Sequence, residues 1–312
     1  MSLENIFREL AIASATKQAK LVNDFIKKAP IWAGVPMQEA SHGLKNAFEK
    51  LGTVDAFKKL DGLDAPLPSV DVSSTLDYTD LSVFGGKMIV GEDKAKAFGG
   101  KEKYFATKLP LVIRQTASSF EKALIYQSLR PYAAELDNQI SAGGATADSQ
   151  YSLVCVKWEP GVTTGLYNPK GFGNGEVFDL MALNGGNLYD VKEDVPGYGM
   201  RVKGNFGLQL VDNNGASIVN IDLAADATKD SGFKALPTEA MIDDMIYSVE
   251  GDMSDTVIMG HPRVLGALAY YKRKALIMSP KDMSYPGQIS DWGGIPLVGS
   301  YNFSFGKEAV VS

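Results

Sequence analysis

The strongest constraint in this sequence is one long helical stretch. From Thr107 to Arg130, Leu109, Ile113, Thr116, Phe120, Leu124 and Gln127 recur at three- and four-residue steps, the spacing of one helix face. Thr107 has the side chain of an N-cap, and Pro110 falls in the first turn, where its missing N–H is harmless. Pro131 is expected to end or kink the far end. At about 1.5 Å per residue the rod is roughly 35 Å long, comparable to a whole small domain. Such a rod reads as a structural spine.

The other elements are shorter. Leu3 to Lys28 places Ile6, Leu10, Leu21 and Phe25 at roughly helical spacing and stops at Ala29-Pro30. It reads as an amphipathic arm that packs on another subunit, or as an ordinary peripheral helix. From His42 to Leu60 good helix formers accompany Leu44, Phe48 and Leu51, so propensity predicts a helix; Asp61, Gly62, Pro66 and Pro68 then mark turns. After Ser69 the period becomes two, at Val70/Val72, Leu81/Val83 and Met88/Val90, which predicts strands. The whole reads as a protruding element bounded by strands.

Beyond the small-residue loop Ser141 to Ser149, strands are expected at Tyr151 to Trp158, Val177 to Leu183, Met200 to Val211 and Ala216 to Leu223. Asp212-Asn213-Asn214-Gly215 predicts a hairpin turn between the last two, because Asn-Gly tolerates positive φ. Helices follow at Thr238 to Glu250 and Pro262 to Lys274, separated by a strand at Thr256 to Met259. Strands at Ile295 to Val298 and Glu308 to Val311 close an α+β chain without a fixed-period repeat.

Composition excludes several function classes. The 312 residues fit about two ordinary domains or one large mixed one, and a net charge of −6 disfavours a dedicated nucleic-acid binder. One cysteine, Cys155, cannot form an intramolecular disulfide framework; with no basic-then-apolar leader, a reducing cytoplasm is expected. Apolar runs are broken well before the roughly 20 residues a membrane span needs.

Reactive constellations are missing as well. His42 and His261 lack neighbours at metal-ligand spacing, and His261, before a helix in Gly260-His261-Pro262-Arg263, reads as a turn or capping residue. Cys155, flanked by Leu153, Val154 and Val156, reads as buried and inert. Gly171 to Gly175 superficially resembles a nucleotide loop but lacks the strand-then-helix context. Asp190, Glu193 and Asp194, or Asp243 and Asp244, could supply paired carboxylates for glycoside hydrolysis, although such pairs are common on acidic surfaces. No catalytic, cofactor-binding or metal residue is assigned, and no cofactor is expected.

Four segments in order carry a resemblance. Tyr151 to Lys170 (YSLVCVKWEPGVTTGLYNPK) contains a strand, a turn and a Gly-Leu-Tyr stretch ending in Pro-Lys; Gly204 to Asp222 (GNFGLQLVDNNGASIVNID) has a Gly-Leu-x-Val-like strand ending in Asn-Ile-Asp. Thr256 to Leu268 (TVIMGHPRVLGAL) is strand-then-helix, and Gly293 to Gly299 (GGIPLVG) a near-terminal strand. Together they resemble the major capsid proteins of tailed bacteriophages, in the branch known mainly from short-tailed phages. The sequence departs from that pattern at Phe206, where tryptophan is usual, and at Asn168, inserted before Pro169.

The resemblance implies the α+β Hong Kong 97-like capsid fold. It would place an N-terminal arm at 1–36, an extended loop at 37–74, a peripheral domain with the spine helix at 75–135, and an axial domain with return strands at 136–312. The implied role is a structural, non-enzymatic major capsid protein, assembling as hexamers and pentamers into an icosahedral head around double-stranded DNA. Implied partners are other copies of the chain, a separate scaffolding protein, a portal at one vertex, a decoration or minor capsid protein, and weakly contacted packaged DNA, with no membrane. Its place would be the virion capsid, assembled in the bacterial host cytoplasm. Two other classes stay open: a β-rich hydrolase using paired carboxylates, and a phage-associated adhesion module.

Overall fold

The computed structural model describes residues 24–57, 59, 69–168, 178–192, 195–274 and 290–311. Most of the expected N-terminal helix, the Gly171 to Gly175 run, Glu193 and Asp194, and the prolines at 66 and 68 lie outside the described residues. The first elements are α1 (Pro30–Gly34), β1 (Met37–Glu39), β2 (Lys45–Val54), β3 (Val72–Asp80), β4 (Ser82–Gly91) and α2 (Glu92–Ala97). The spine follows as α3 (Lys101–Ala123), a π-helical turn (Leu124–Leu129) and α4 (Arg130–Glu135). Then come β5 (Gln139–Ser141), β6 (Tyr151–Lys157), β7 (Thr164–Tyr167), β8 (Phe178–Ala182), β9 (Tyr189–Lys192), β10 (Val195–Gln209), β11 (Gly215–Ala225) and β12 (Phe233–Ala235). The last are α5 (Glu239–Ser248), β13 (Thr256–Gly260), α6 (Pro262–Lys274), β14 (Asp291–Trp292) and β15 (Ile295–Gly299).

The spine is longer than its sequence signals suggest. Its N-cap is Gly100, whose φ of 110° suits glycine, and Thr107 lies inside the helix with its Oγ1 donating to the Lys103 carbonyl at 2.8 Å. Pro110 is therefore interior; the carbonyl it leaves without a partner belongs to exposed Ala106 and can be hydrated. Pro131 does not stop the rod. The preceding π turn, in which the Arg130 N–H donates to the Ile125 carbonyl, shifts the register so that the proline enters as an early residue of α4. Leu109, Ile113, Ala117, Leu124, Ile125 and Leu129 hold the helix to the core despite both prolines.

The apolar run Tyr151 to Lys157 is buried on both faces. Val154 and Val156 face the spine with Trp32, Ile113 and Phe303, whereas Leu153 and Cys155 face α5 and α6 with Ile218, Met245 and Leu265. This explains why β6 reads as continuously hydrophobic rather than alternating. Its sheet has the order β12-β11-β6-β13-β15-β14, with β5 added on β11. The other large sheet has the order β1-β7-β10-β4, and β10 pairs β4 along one edge and β7, β8 and β9 in succession along the other.

Three further expectations are corrected. The helix expected over His42 to Leu60 does not form across its described residues: β2 pairs antiparallel with β3 from Lys45↔Asp80 to Val54↔Val72, because ladder bonds along the pair outweigh a weak local helix preference. Asp212 to Gly215 is not a hairpin turn, since β10 and β11 belong to different sheets. Asp212 takes the left-handed conformation (φ 60°), and the turn's polar groups reach elsewhere: Asn214 to Thr163 Oγ1 at 3.0 Å and Asn213 to the Ser248 carbonyl at 2.6 Å. The segment becomes a corner between sheets. Glu308 to Val311 forms no strand beyond a single bridge of Glu308 to Gln150; Val311 is held by the Asn220 side chain, which accepts from its N–H at 2.8 Å and donates to its carbonyl at 2.7 Å. Asn220 sits at a bulge of β11 with φ 56°, so its amide is free to reach the tail.

Candidate assembly surfaces

The β2–β3 ribbon projects from the rest of the chain. Its register puts Lys45, Ala47, Glu49, Val54, Val72, Ser74, Leu76, Tyr78 and Asp80 on one face, with Asn46, Phe48, Lys50, Thr75, Asp77 and Thr79 on the other, so the first face mixes apolar side chains with the Glu49–Ser74 and Lys45–Asp80 contacts. On the first face Leu76 is 64% exposed, Val72 55% and Tyr78 52%, and Phe57 beyond β2 is 92% exposed. Burying each side chain of this kind is worth about 1.5–3 kcal/mol, a gain this chain leaves unused. A lone two-stranded ribbon is also only marginally stable.

The base of the ribbon is fixed. Buried Asn46 donates to Gln209 Oε1 at 2.7 Å and accepts the Ser41 N–H at 3.0 Å, while Leu81 N–H donates to the Leu44 carbonyl at 2.8 Å. Gln209 in turn donates to the Gly161 carbonyl at 2.7 Å, so the ribbon is tied through β10 to the core. The exposed Lys45–Asp80 pair at 3.4 Å adds little.

Two buried carboxylates tie the spine to the rest of the fold. Glu121 of α3 accepts from Ile31 N–H at 3.0 Å, Asn302 Nδ2 at 3.0 Å and Ser300 Oγ. Asn302 also donates to the Lys28 carbonyl at 2.6 Å, so one group joins the spine, the segment before α1 and the C-terminal region. Glu308 accepts from Tyr126 Oη at 2.6 Å, Arg130 at 3.0 Å and Ser152 Oγ at 3.1 Å. Burial raises both carboxyls above the usual range; their hydrogen bonds, and Arg130 beside Glu308, oppose that shift only in part. Neither residue was selected from the sequence, yet Glu121 carried a signal: it interrupts the apolar stripe four residues after Ala117 and three before Leu124.

The residues weighed for chemistry are scattered. His261 caps α6, its Nδ1 accepting the Arg263 N–H at 3.1 Å, as its place before the helix implied. Exposed His42 lies within hydrogen-bond distance of Ser41 Oγ, 2.9 Å. Cys155 is fully buried and its thiol is pushed up to about 12 by desolvation, in keeping with an inert core residue. Asp243 accepts from Trp292 Nε1 at 2.9 Å, which anchors β14 to α5. Phe206, the departure from tryptophan, is buried in an aromatic cluster 5.8 Å from Phe120 and 6.4 Å from Trp32. Among the described residues no group of three or more His, Cys, Asp and Glu side chains is placed to hold a metal ion, and no helix is long and apolar enough to cross a membrane.

No family model and no curated protein matches the sequence. Solved structures do. A chain in the cryo-electron-microscopy structure of bacteriophage Epsilon15 superposes at a TM-score of 0.57 with 14% identity, over 85% of this chain and 84% of that one. The capsid of bacteriophage JBD30 superposes at 0.50 with 10% identity, over 86% of this chain and 88% of that one. The chain has the α+β fold of phage capsid proteins, the Hong Kong 97-like fold.

Proposed function

We propose that this chain is a structural major capsid protein that assembles as hexamers and pentamers into an icosahedral phage head around double-stranded DNA. The observation that carries the reading is the group of exposed apolar side chains, Val54, Val72, Leu76 and Tyr78, on one face of the β2–β3 ribbon, on a chain whose fold matches a phage capsid over most of its length. A surface of Val72, Leu76 and Tyr78 held away from its own core gains free energy only when a second molecule covers it. In a shell that molecule is the neighbouring copy.

On this reading residues 1–36 are the arm, 37–74 the extended loop, 75–135 the peripheral domain, and 136–312 the axial domain with its return strands. Catalysis has no part in it, because the binding energy is spread over interfaces. The four sequence segments favour the short-tailed-phage branch. Scaffolding protein, portal and decoration or minor capsid proteins are the expected partners, DNA is contacted weakly, and assembly takes place in the host cytoplasm before the chain resides in the virion. Electron microscopy and sedimentation of the purified chain, alone and co-expressed with candidate scaffolding proteins, test the reading. Closed shells or rings of five and six are expected. A monomer under all these conditions, with measurable glycoside turnover, would point to the hydrolase; a trimer that binds surface sugars would point to the adhesin.

A further inference from the structure

We propose that the outer face of the N-terminal half of the spine helix docks an acidic, amphipathic helix of a partner protein. Charge is concentrated there against the trend of the chain: residues 101–120 carry Lys101, Lys103, Lys108 and Arg114 against Glu102 alone, in a molecule of net charge −6, whereas in α2 just before them Lys94 and Lys96 are balanced by Glu92, 2.7 Å from Lys96, and Asp93. Tyr104, Lys108, Leu111 and Gln115 follow at four-, three- and four-residue steps, which places them on one side of α3. Phe98 lies at the near end, with Lys108 Nζ 5.7 Å from its ring centre, while Lys94 Nζ is 5.9 Å from the ring centre of Tyr104.

At its far end the strip opens into a cleft of about 360 Å³ lined by Lys27, Lys28, Leu111, Arg114, Gln115 and Tyr301. Leu111 is 54% exposed and Tyr301 80% exposed, so the cleft offers apolar surface between cations. Arg114 is already neutralised by Asp24, 2.6 Å away, Lys96 is paired with Glu92 and Lys101 donates to the Gly186 carbonyl, which leaves Lys27, Lys28, Lys103 and Lys108 to meet an incoming charge. From Lys101 to Gln115 the strip runs about 20 Å, the length of roughly four turns of a docked helix.

That mixture selects the partner. Duplex DNA would use the lysines but offers a phosphate surface with nothing to cover Leu111, Phe98 and Tyr301, and the overall negative charge opposes its approach. A helix with leucine-like residues on one side and carboxylates flanking them satisfies both features. This inference does not rest on shell formation: a chain that forms no particles yet binds such a helix would defeat that reading alone.

The test uses the full chain and three labelled probes followed by fluorescence anisotropy: an amphipathic helical peptide of about 18 residues with leucine on one face and glutamate on the other, its lysine counterpart, and a duplex DNA of about 20 base pairs. The glutamate peptide is expected to bind, and to weaken markedly between about 50 mM and about 500 mM salt. The triple variant Lys27→Glu, Lys28→Glu, Lys108→Glu should lose about tenfold or more in affinity. Leu111→Gln, which keeps the charge, should lose several-fold while melting like the wild type. Failure of the glutamate peptide to bind, binding untouched by either variant, equal binding of the lysine peptide, or tighter binding of DNA to this face would each overturn the proposal.

Discussion

Glu121 Oε2 accepts the backbone N–H of Ile31 at 3.0 Å, across 90 positions of sequence. Because Ser300 and Asn302 meet the other oxygen, this carboxylate is shared by three segments that have no common strand. Glu121→Ala would leave the Ile31 N–H and the Asn302 amide without that acceptor in a buried space. We expect a loss of roughly 3 kcal/mol in urea unfolding of the full chain; a loss under about 1 kcal/mol would show that solvent or a rearrangement replaces the contact.

Stability should also depend on pH through Glu121 and Glu308. Both carboxyls are raised by burial, so the folded chain holds their protons more tightly than the unfolded chain does. Their contribution is intact below the unfolded carboxylate value and is lost as pH climbs through the raised folded values. As pH rises above the ordinary carboxylate value of about 4.5, the melting temperature of the wild type should therefore fall relative to that of Glu308→Gln. A difference between the two that stays constant with pH would refute this linkage.

The ribbon can be altered without harming the chain that carries it. Leu76→Asp and Tyr78→Asp replace exposed side chains, so unfolding free energy should change by no more than about 0.5 kcal/mol. Particle formation, followed by electron microscopy, should be lost. Normal particles from both variants would remove the ribbon's apolar face from the assembly mechanism.

Gly197 is the close-approach point of the β4–β10 pair, where a Cβ would press on the Val90 carbonyl and the Val191 side chain. Gly197→Ala should cost about 1–3 kcal/mol. Gly86, on the same ladder, has nothing within 4 Å of a built Cβ and serves as the control. Equal stability of the two alanine variants would contradict the packing described for this sheet.

Cys155 should resist an aromatic disulfide reagent in the native chain and react only as fast as the chain unfolds, since its thiol is pushed up to about 12 and sits between two layers. Rapid labelling at neutral pH without unfolding would show that β6 is accessible.

Elements whose burial marks the local sequence are legible there: the spine, the continuously apolar β6, α5, and α6 from Pro262 to Lys274, whereas Thr238 as the cap of α5 is seen only in the structure. Elements whose state depends on a remote partner are not legible. Nothing local to Lys45–Val54 announces β3, some twenty residues on, and the residues of the Asp212 corner are those of any tight turn. Pro131 looked like a stop because the π turn that accommodates it is a property of the folded rod. The ribbon's exposed apolar side chains are half visible in the sequence: the period-two alternation after Ser69 predicts a strand, but Leu76 and Tyr78 acquire their shared side with Val54 only once β2 is paired.

The bare ribbon makes solubility a collective property. An edge that displays Val72, Leu76 and Tyr78 to water can template disordered aggregation as readily as ordered growth. On the proposed reading the solitary protomer is then the hazardous species and the finished container the benign one. How quickly chains are synthesised, relative to how quickly they find the correct neighbour, decides between precipitate and particle.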